Sequence, residues 1–130
     1  FRPSLEEPTA KAVISAMLNG AAQNLADHSQ PQGCMIIQAA LTGSDASESV
    51  KQALIERRRD AQNELKMRFK KAQEQGDLTT DYSAESLAQY LAAILQGMTI
   101  QATNGTSAED LQRIADLALS HFPGLTHSQV

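Results

Sequence analysis

Residues 45–76 read DASESVKQALIERRRDAQNELKMRFKKAQEQG, and this stretch decides the fold. Asp45 followed three residues later by Glu48 has the spacing of a capping box, in which a side chain at the start of a helix and an acid one turn on satisfy the first free N–H groups. From about Ala46 to Gln75, Val50, Leu54, Ala61, Leu65, Phe69 and Ala72 recur at helical spacing on one stripe, with charge massed opposite. No proline interrupts the run, and Gly76 stands where a helix ends on a residue free to take positive φ. The stretch therefore predicts one long helix, buried along one face and wet along the other.

Working outward, the neighbouring segments read the same way. Pro8 to about Asp27 predicts a helix whose apolar residues (Ala12, Val13, Ile14, Ala16, Met17, Leu18, Ala21, Ala22, Leu25) surround it almost completely, with Pro8 where its missing N–H costs nothing. The polar string 27–33 is a loop, and Cys34–Leu41 is short and apolar. Its Ala and Gln content favours a short helix over a buried strand. Downstream, Asp81 or Ser83 caps a helix from about Ala84 to Thr103. Asn104-Gly105 turns the chain, Thr106 with Glu109 repeats the capping-box spacing, and a last helix reaches about Phe122 before Pro123-Gly124. The result is an all-α, antiparallel bundle of about five helices with no convincing strand. Residues 1–124 are expected to form one domain and 125–130 a disordered tail.

Composition agrees. The 130 residues hold 42% hydrophobic side chains but three Phe, two Tyr and no Trp, so the core must be built from Ala, Leu, Ile, Val and Met, a mixture that favours helices. A formal charge of −4 offers no broad basic surface for nucleic-acid phosphates; if DNA is bound, another segment binds it. The single cysteine, Cys34, cannot form an intramolecular disulfide and sits among apolar neighbours as a small hydrophobe. With no leader pattern and no long apolar span, the sequence reads as a soluble, cytosolic, non-membrane protein, and its start at Phe1 as part of something longer.

A search for chemistry is nearly empty. His28, His121 and His127 lie in a loop, at a helix end and in the tail, without the spacing of a metal site. Neither a phosphate-cradling glycine loop nor a nucleophile elbow is present. Acidic residues fall on solvated faces and at helix starts, where the helix dipole accounts for them. Arg57-Arg58-Arg59 is flanked by Glu56 and Asp60 and reads mostly as a solvated face; Asn104-Gly105-Thr106 matches a glycosylation acceptor but serves as a turn and cap. No catalytic role, metal or cofactor is expected.

The order of segments says more than any one of them. Glu7-Pro8-Thr9-Ala10-Lys11-Ala12, then Gly33 to Ala40, then Glu56-Arg57-Arg58, Gly76-Asp77-Leu78, Leu87 to Leu91, and Leu95-Gln96-Gly97-Met98 with Gln101-Ala102 resembles the C-terminal domain of TetR-family regulators from Glu6 to Phe122. The resemblance implies a homodimeric repressor, with operator DNA gripped by an N-terminal helix-turn-helix domain absent from this chain. The C-terminal domain would bind a small molecule that releases the DNA, and the last two helices would form the dimer interface. Two other classes compete: a stand-alone helical binding or scaffolding protein, separated by what is encoded before Phe1, and a small helical enzyme or carrier, separated by turnover assays.

Two site expectations follow. The penultimate helix has two apolar sectors: Leu87, Leu91, Leu95, Met98 and Ala102 for the core, and Ala93, Gly97 and Ile100 beside Tyr90 and Gln101 for a partner. Gly97 costs about 1 kcal/mol against Ala in a helix, which a close crossing of two helices would explain. On the last helix Leu111, Ile114, Leu117, Ala118 and Phe122 are expected to divide between core and interface. A pocket for a small, mainly hydrophobic ligand is expected between the first four helices, walled by Met17 and Ala21, Met35 and Gln38, and Met98. Arg58 lies within the apolar stripe of the long helix. It either snorkels to solvent or meets a polar or anionic group on the ligand.

Overall fold

The computed structural model describes residues 2–25 and 48–125. The expected short helix over Cys34–Leu41, the loop before it, Asp45 and the tail beyond Leu125 lie outside those residues. Within them the chain forms a 3-10 turn, Arg2–Glu6, and four helices: α1 (Ala10–Leu25), α2 (Glu48–Glu74), α3 (Ala84–Thr103) and α4 (Ala108–His121). No strand occurs among the described residues.

Each boundary has a local cause. α1 begins at Ala10, two residues later than the proline suggested, because Thr9 provides the cap: its Oγ1 accepts from the Ala12 N–H at 3.1 Å. At the other end of α2, Gly76 has φ +75°, and the N–H groups of Gly76 and Asp77 reach back to the carbonyls of Gln73 and Ala72. This is the Schellman arrangement, and it turns Asp77 back toward the bundle. Ser83 caps α3, accepting from the Ser86 N–H. For α4 the capping residue is Ser107, accepting from the Asp110 N–H, and not Thr106, whose hydroxyl donates to Gln101 Oε1 at 3.0 Å. Two adjacent hydroxyl residues offer the same chemistry, and the structure uses the second.

α1 packs most extensively against α4, and α2 against α3, while α3 also touches α1 and α4. α1 and α2 have little direct contact. The α1 residues Ala10, Val13, Ile14, Met17, Leu18 and Ala22 are buried at the i, i+3, i+4 spacing of one face, so the helix is less enclosed than its composition suggested. They meet Leu65, Phe69 and Ala72 of α2, Leu87, Ala88, Leu91 and Met98 of α3, and Leu111 and Ala115 of α4 in one core. Phe122 closes this core at one end, with its ring 6.3 Å from that of Phe69 and 5.5 Å from that of Tyr90.

The core extends further along the chain than Pro123-Gly124 implied. Leu125, assigned by sequence to the tail, is buried. Gly124 makes this possible: it takes φ +83°, and a β-carbon there would come within 2.7 Å of the Thr79 side chain, so only glycine lets the chain pass the α2–α3 loop and return inward. A polar seam, unmarked in the sequence, joins α1 to α4. Gln112 Nε2 donates to Asn19 Oδ1 at 2.7 Å and to Asp116 Oδ1 at 3.0 Å, and Asn19 Nδ2 donates to Ser15 Oγ.

Candidate ligand pocket and pairing face

The two functional candidates rest on opposite properties of the bundle, one on how the apolar side chains converge and the other on what they leave uncovered. Met17 and Met98, expected as pocket walls, are brought together in the buried core, and Ala21 is half-buried against it. Flexible thioethers at such a position can rearrange around a guest with little strain. Met35 and Gln38 lie outside the described residues.

Arg58 stands apart from this cluster. Every buried residue of α2 lies at Leu65 or beyond, so Arg58 sits about two turns before the helix enters the core. It is half-buried, as are Leu54 and Ala61 on the same stripe, while Val50 is exposed. The stripe therefore continues through α2 as a pattern, but its first half is only partly covered. Arg58 forms no hydrogen bond or ion pair with another described residue.

The second apolar sector of α3 has the other character. Tyr90, Ala93, Gly97, Ile100 and Gln101 are all exposed, Tyr90 at 46% and Ile100 at 45% of full accessibility. A β-carbon added at Gly97 would meet nothing within 4 Å among the described residues, so no contact with them explains a glycine in mid-helix. From α4, Leu117 is 62% exposed, and Ile114 and Ala118 are partly buried against the core. Leu111 and Phe122 do not belong to this surface. Both are fully buried in the protomer's own core, because Leu111 falls on the core face one turn before Ala115 and Phe122 turns inward between Phe69 and Tyr90. Leu111, Ile114, Leu117, Ala118 and Phe122 thus divide, with the first and last going to the core.

Sequence reasoning missed other features. Arg68 donates from Nε to the Leu5 carbonyl at 3.1 Å and from Nη2 to the Glu7 carbonyl at 3.0 Å, and Asp77 Oδ2 accepts from the Ala10 N–H at 2.6 Å. Partners more than sixty residues apart leave no local pattern to read. Met67 and Tyr82 are also exposed, outside both candidate surfaces. Among the described residues no three His, Cys, Asp or Glu side chains cluster to hold a metal ion, and no helix is long and apolar enough to cross a membrane.

Among the described residues, four helices enclose one apolar core that includes Met17 and Met98 and leave an apolar sector of α3 uncovered. Residues 10–117 match the model of the tetracyclin repressor-like C-terminal domain, and the chain belongs to that family. It is 28% identical over 120 residues to the HTH-type transcriptional repressor ComR of Escherichia coli (strain K12), an overlap of 92% of this chain and 57% of ComR. Among solved structures it resembles the TetR family transcriptional regulator CifR, as a cysteine mutant complexed with a 26-bp double-strand operator DNA. That match has a TM-score of 0.82 and 29% identity over 94% of this chain and 64% of CifR. A protein of Rhodococcus sp. RHA1 assigned to the TetR transcriptional regulators matches at TM-score 0.79 and 28% identity, over 95% of this chain and 65% of that one. The chain thus spans less than two thirds of the length of these relatives.

Proposed function

We propose that this chain is the ligand-sensing and homodimerising part of a cytoplasmic TetR-type transcriptional repressor. A small, mainly hydrophobic molecule bound within the bundle would release operator DNA held by an N-terminal helix-turn-helix domain. The observation that carries this reading is the likeness of 94% of the chain to part of a regulator solved on its operator, at TM-score 0.82. The formal charge of −4 supports the same division of labour, since the phosphate-neutralising cations would belong to the other domain.

In this reading Met17, Ala21, Met35, Gln38 and Met98 line the pocket and Arg58 meets the ligand's polar or anionic group. The partner subunit covers Tyr90, Ala93, Gly97, Ile100 and Gln101 on α3 with Ile114, Leu117 and Ala118 on α4. Screening the chain against a metabolite library by thermal shift is the first test, because a molecule that binds only the folded state raises its melting midpoint. A hit should also dissociate the whole protein from its operator in a mobility-shift assay; hits that leave the DNA complex intact would contradict the regulator reading. For an anionic hit, Arg58→Met should weaken binding by about 1.5–3 kcal/mol, the scale of a hydrogen bond to a charged group, as measured by calorimetry. Unchanged affinity would remove Arg58 from the site.

A further inference from the structure

The chain bends at Glu7–Thr9, between the 3-10 turn and α1, and α2 with the turn that ends it holds that bend from both sides. The Arg68 guanidinium lies on the Leu5 and Glu7 carbonyls, at the carbonyl end of the 3-10 turn, while the Asp77 carboxylate lies on the Ala10 N–H, at the amide end of α1. A cation at the first end and an anion at the second each complement the partial charge of the exposed backbone there. Gly76 at the end of α2 is what brings Asp77 into this position.

Packing contributes little to the same segment. Of residues 3–9 only Ser4 and Leu5 are partly buried, and Pro3, Glu6, Glu7, Pro8 and Thr9 are exposed. Its path therefore depends on these hydrogen bonds more than on apolar contact. Arg68 Nη1 is buried with no hydrogen-bond partner. A buried donor left unsatisfied is unfavourable, and here it shows a guanidinium placed for the carbonyls of the bend and not for its own full satisfaction. α2, which carries Arg68 and ends in the turn that carries Asp77, is buried only from Leu65 onward.

We propose that Arg68 and Asp77 form a two-point grip through which α2 sets the direction of the chain entering α1, so that a displacement of α2 is passed to the segment preceding α1. The consequence for regulation rests on the sensor reading above: a ligand that moves α2 would reorient whatever precedes α1. The grip itself does not require that reading. Both residues are positioning residues and touch no ligand.

Hydrogen exchange read by mass spectrometry on the full chain tests this without ligand or DNA. Arg68→Met and Asp77→Ala should each speed exchange of the amides of residues 5–12 by roughly tenfold or more, the scale of one charge-assisted hydrogen bond, with protection in α3 and α4 unchanged. Asp77→Asn, which keeps an acceptor oxygen, should lie between. Ala61→Phe, which enlarges the α2 stripe, should alter exchange at 5–12 in the parent and lose that effect in the Arg68→Met background; Leu54→Ala replaces it if Ala61→Phe does not fold. Unchanged exchange at 5–12 in both grip variants, loss of protection in all helices alike, or effects that simply add would overturn the proposal. None of these results depends on whether a ligand or an operator is ever found.

Discussion

The two halves of α2 share one sequence pattern and have different physical lives. From Leu65 onward the helix buries Leu65, Phe69 and Ala72, holds the entry to α1 through Arg68 and, in the turn that follows it, Asp77, and fastens the next loop through Gln73, whose amide donates to the carbonyls of Thr79 and Tyr82. From Glu48 to Ala61 it buries nothing, and Leu54, Arg58 and Ala61 are only partly covered. The difference teaches that burial, and with it stability, is concentrated in one half of a helix whose apolar stripe runs through both. The second half fixes the bundle, and the first carries a stripe that is only partly covered.

Truncations in the two halves should break the pattern unequally. Phe69→Ala removes a fully buried ring that also contacts Phe122, and should cost about 3–5 kcal/mol of unfolding free energy. Leu54→Ala, at a half-covered position of the same stripe, should cost about 1 kcal/mol or less. Urea denaturation of the two variants checks both values. Equal losses would show that the first half is packed as firmly as the second.

A smaller effect sharpens the account of the fixed end. Gly124→Ala forces an L side chain into a left-handed backbone conformation against Thr79, beside the loop that ends α2, and should cost about 1–2 kcal/mol in the same assay. Smaller still, Arg58→Met in the absence of ligand should change stability by no more than about 0.5 kcal/mol, since the residue lies outside the buried core.

These contrasts also explain what the sequence could reveal. α3 was legible to its ends, because Ser83 caps it and Asn104-Gly105 ends it with local chemistry. The long helix was legible as a periodic stripe, and the two sectors of α3 as angular positions. Periodicity does not report which part of a stripe finds neighbours, so Val50 and Phe69 looked alike before folding separated them. Which of the last helix's apolar residues would go to the core was not legible for a related reason: a helical wheel gives direction from one axis, while the core that Leu111 and Phe122 joined is shared by several helices. Arg68, Asp77 and the Asn19–Gln112 seam were invisible because each joins residues more than sixty positions apart. Leu125 was misplaced because Gly124 reads as a stop, whereas its conformation turns the chain back inward.

The reading of this chain as a sensing and dimerising domain depends most on what covers α3, and static light scattering at micromolar concentration tests that directly. The account predicts a mass twice the 14.0 kDa of one chain, and a shift toward the single-chain mass in Gly97→Leu, where an added side chain would obstruct a close helix crossing while its β-carbon meets nothing among the described residues of the protomer. A parent chain that scatters as a monomer would contradict it.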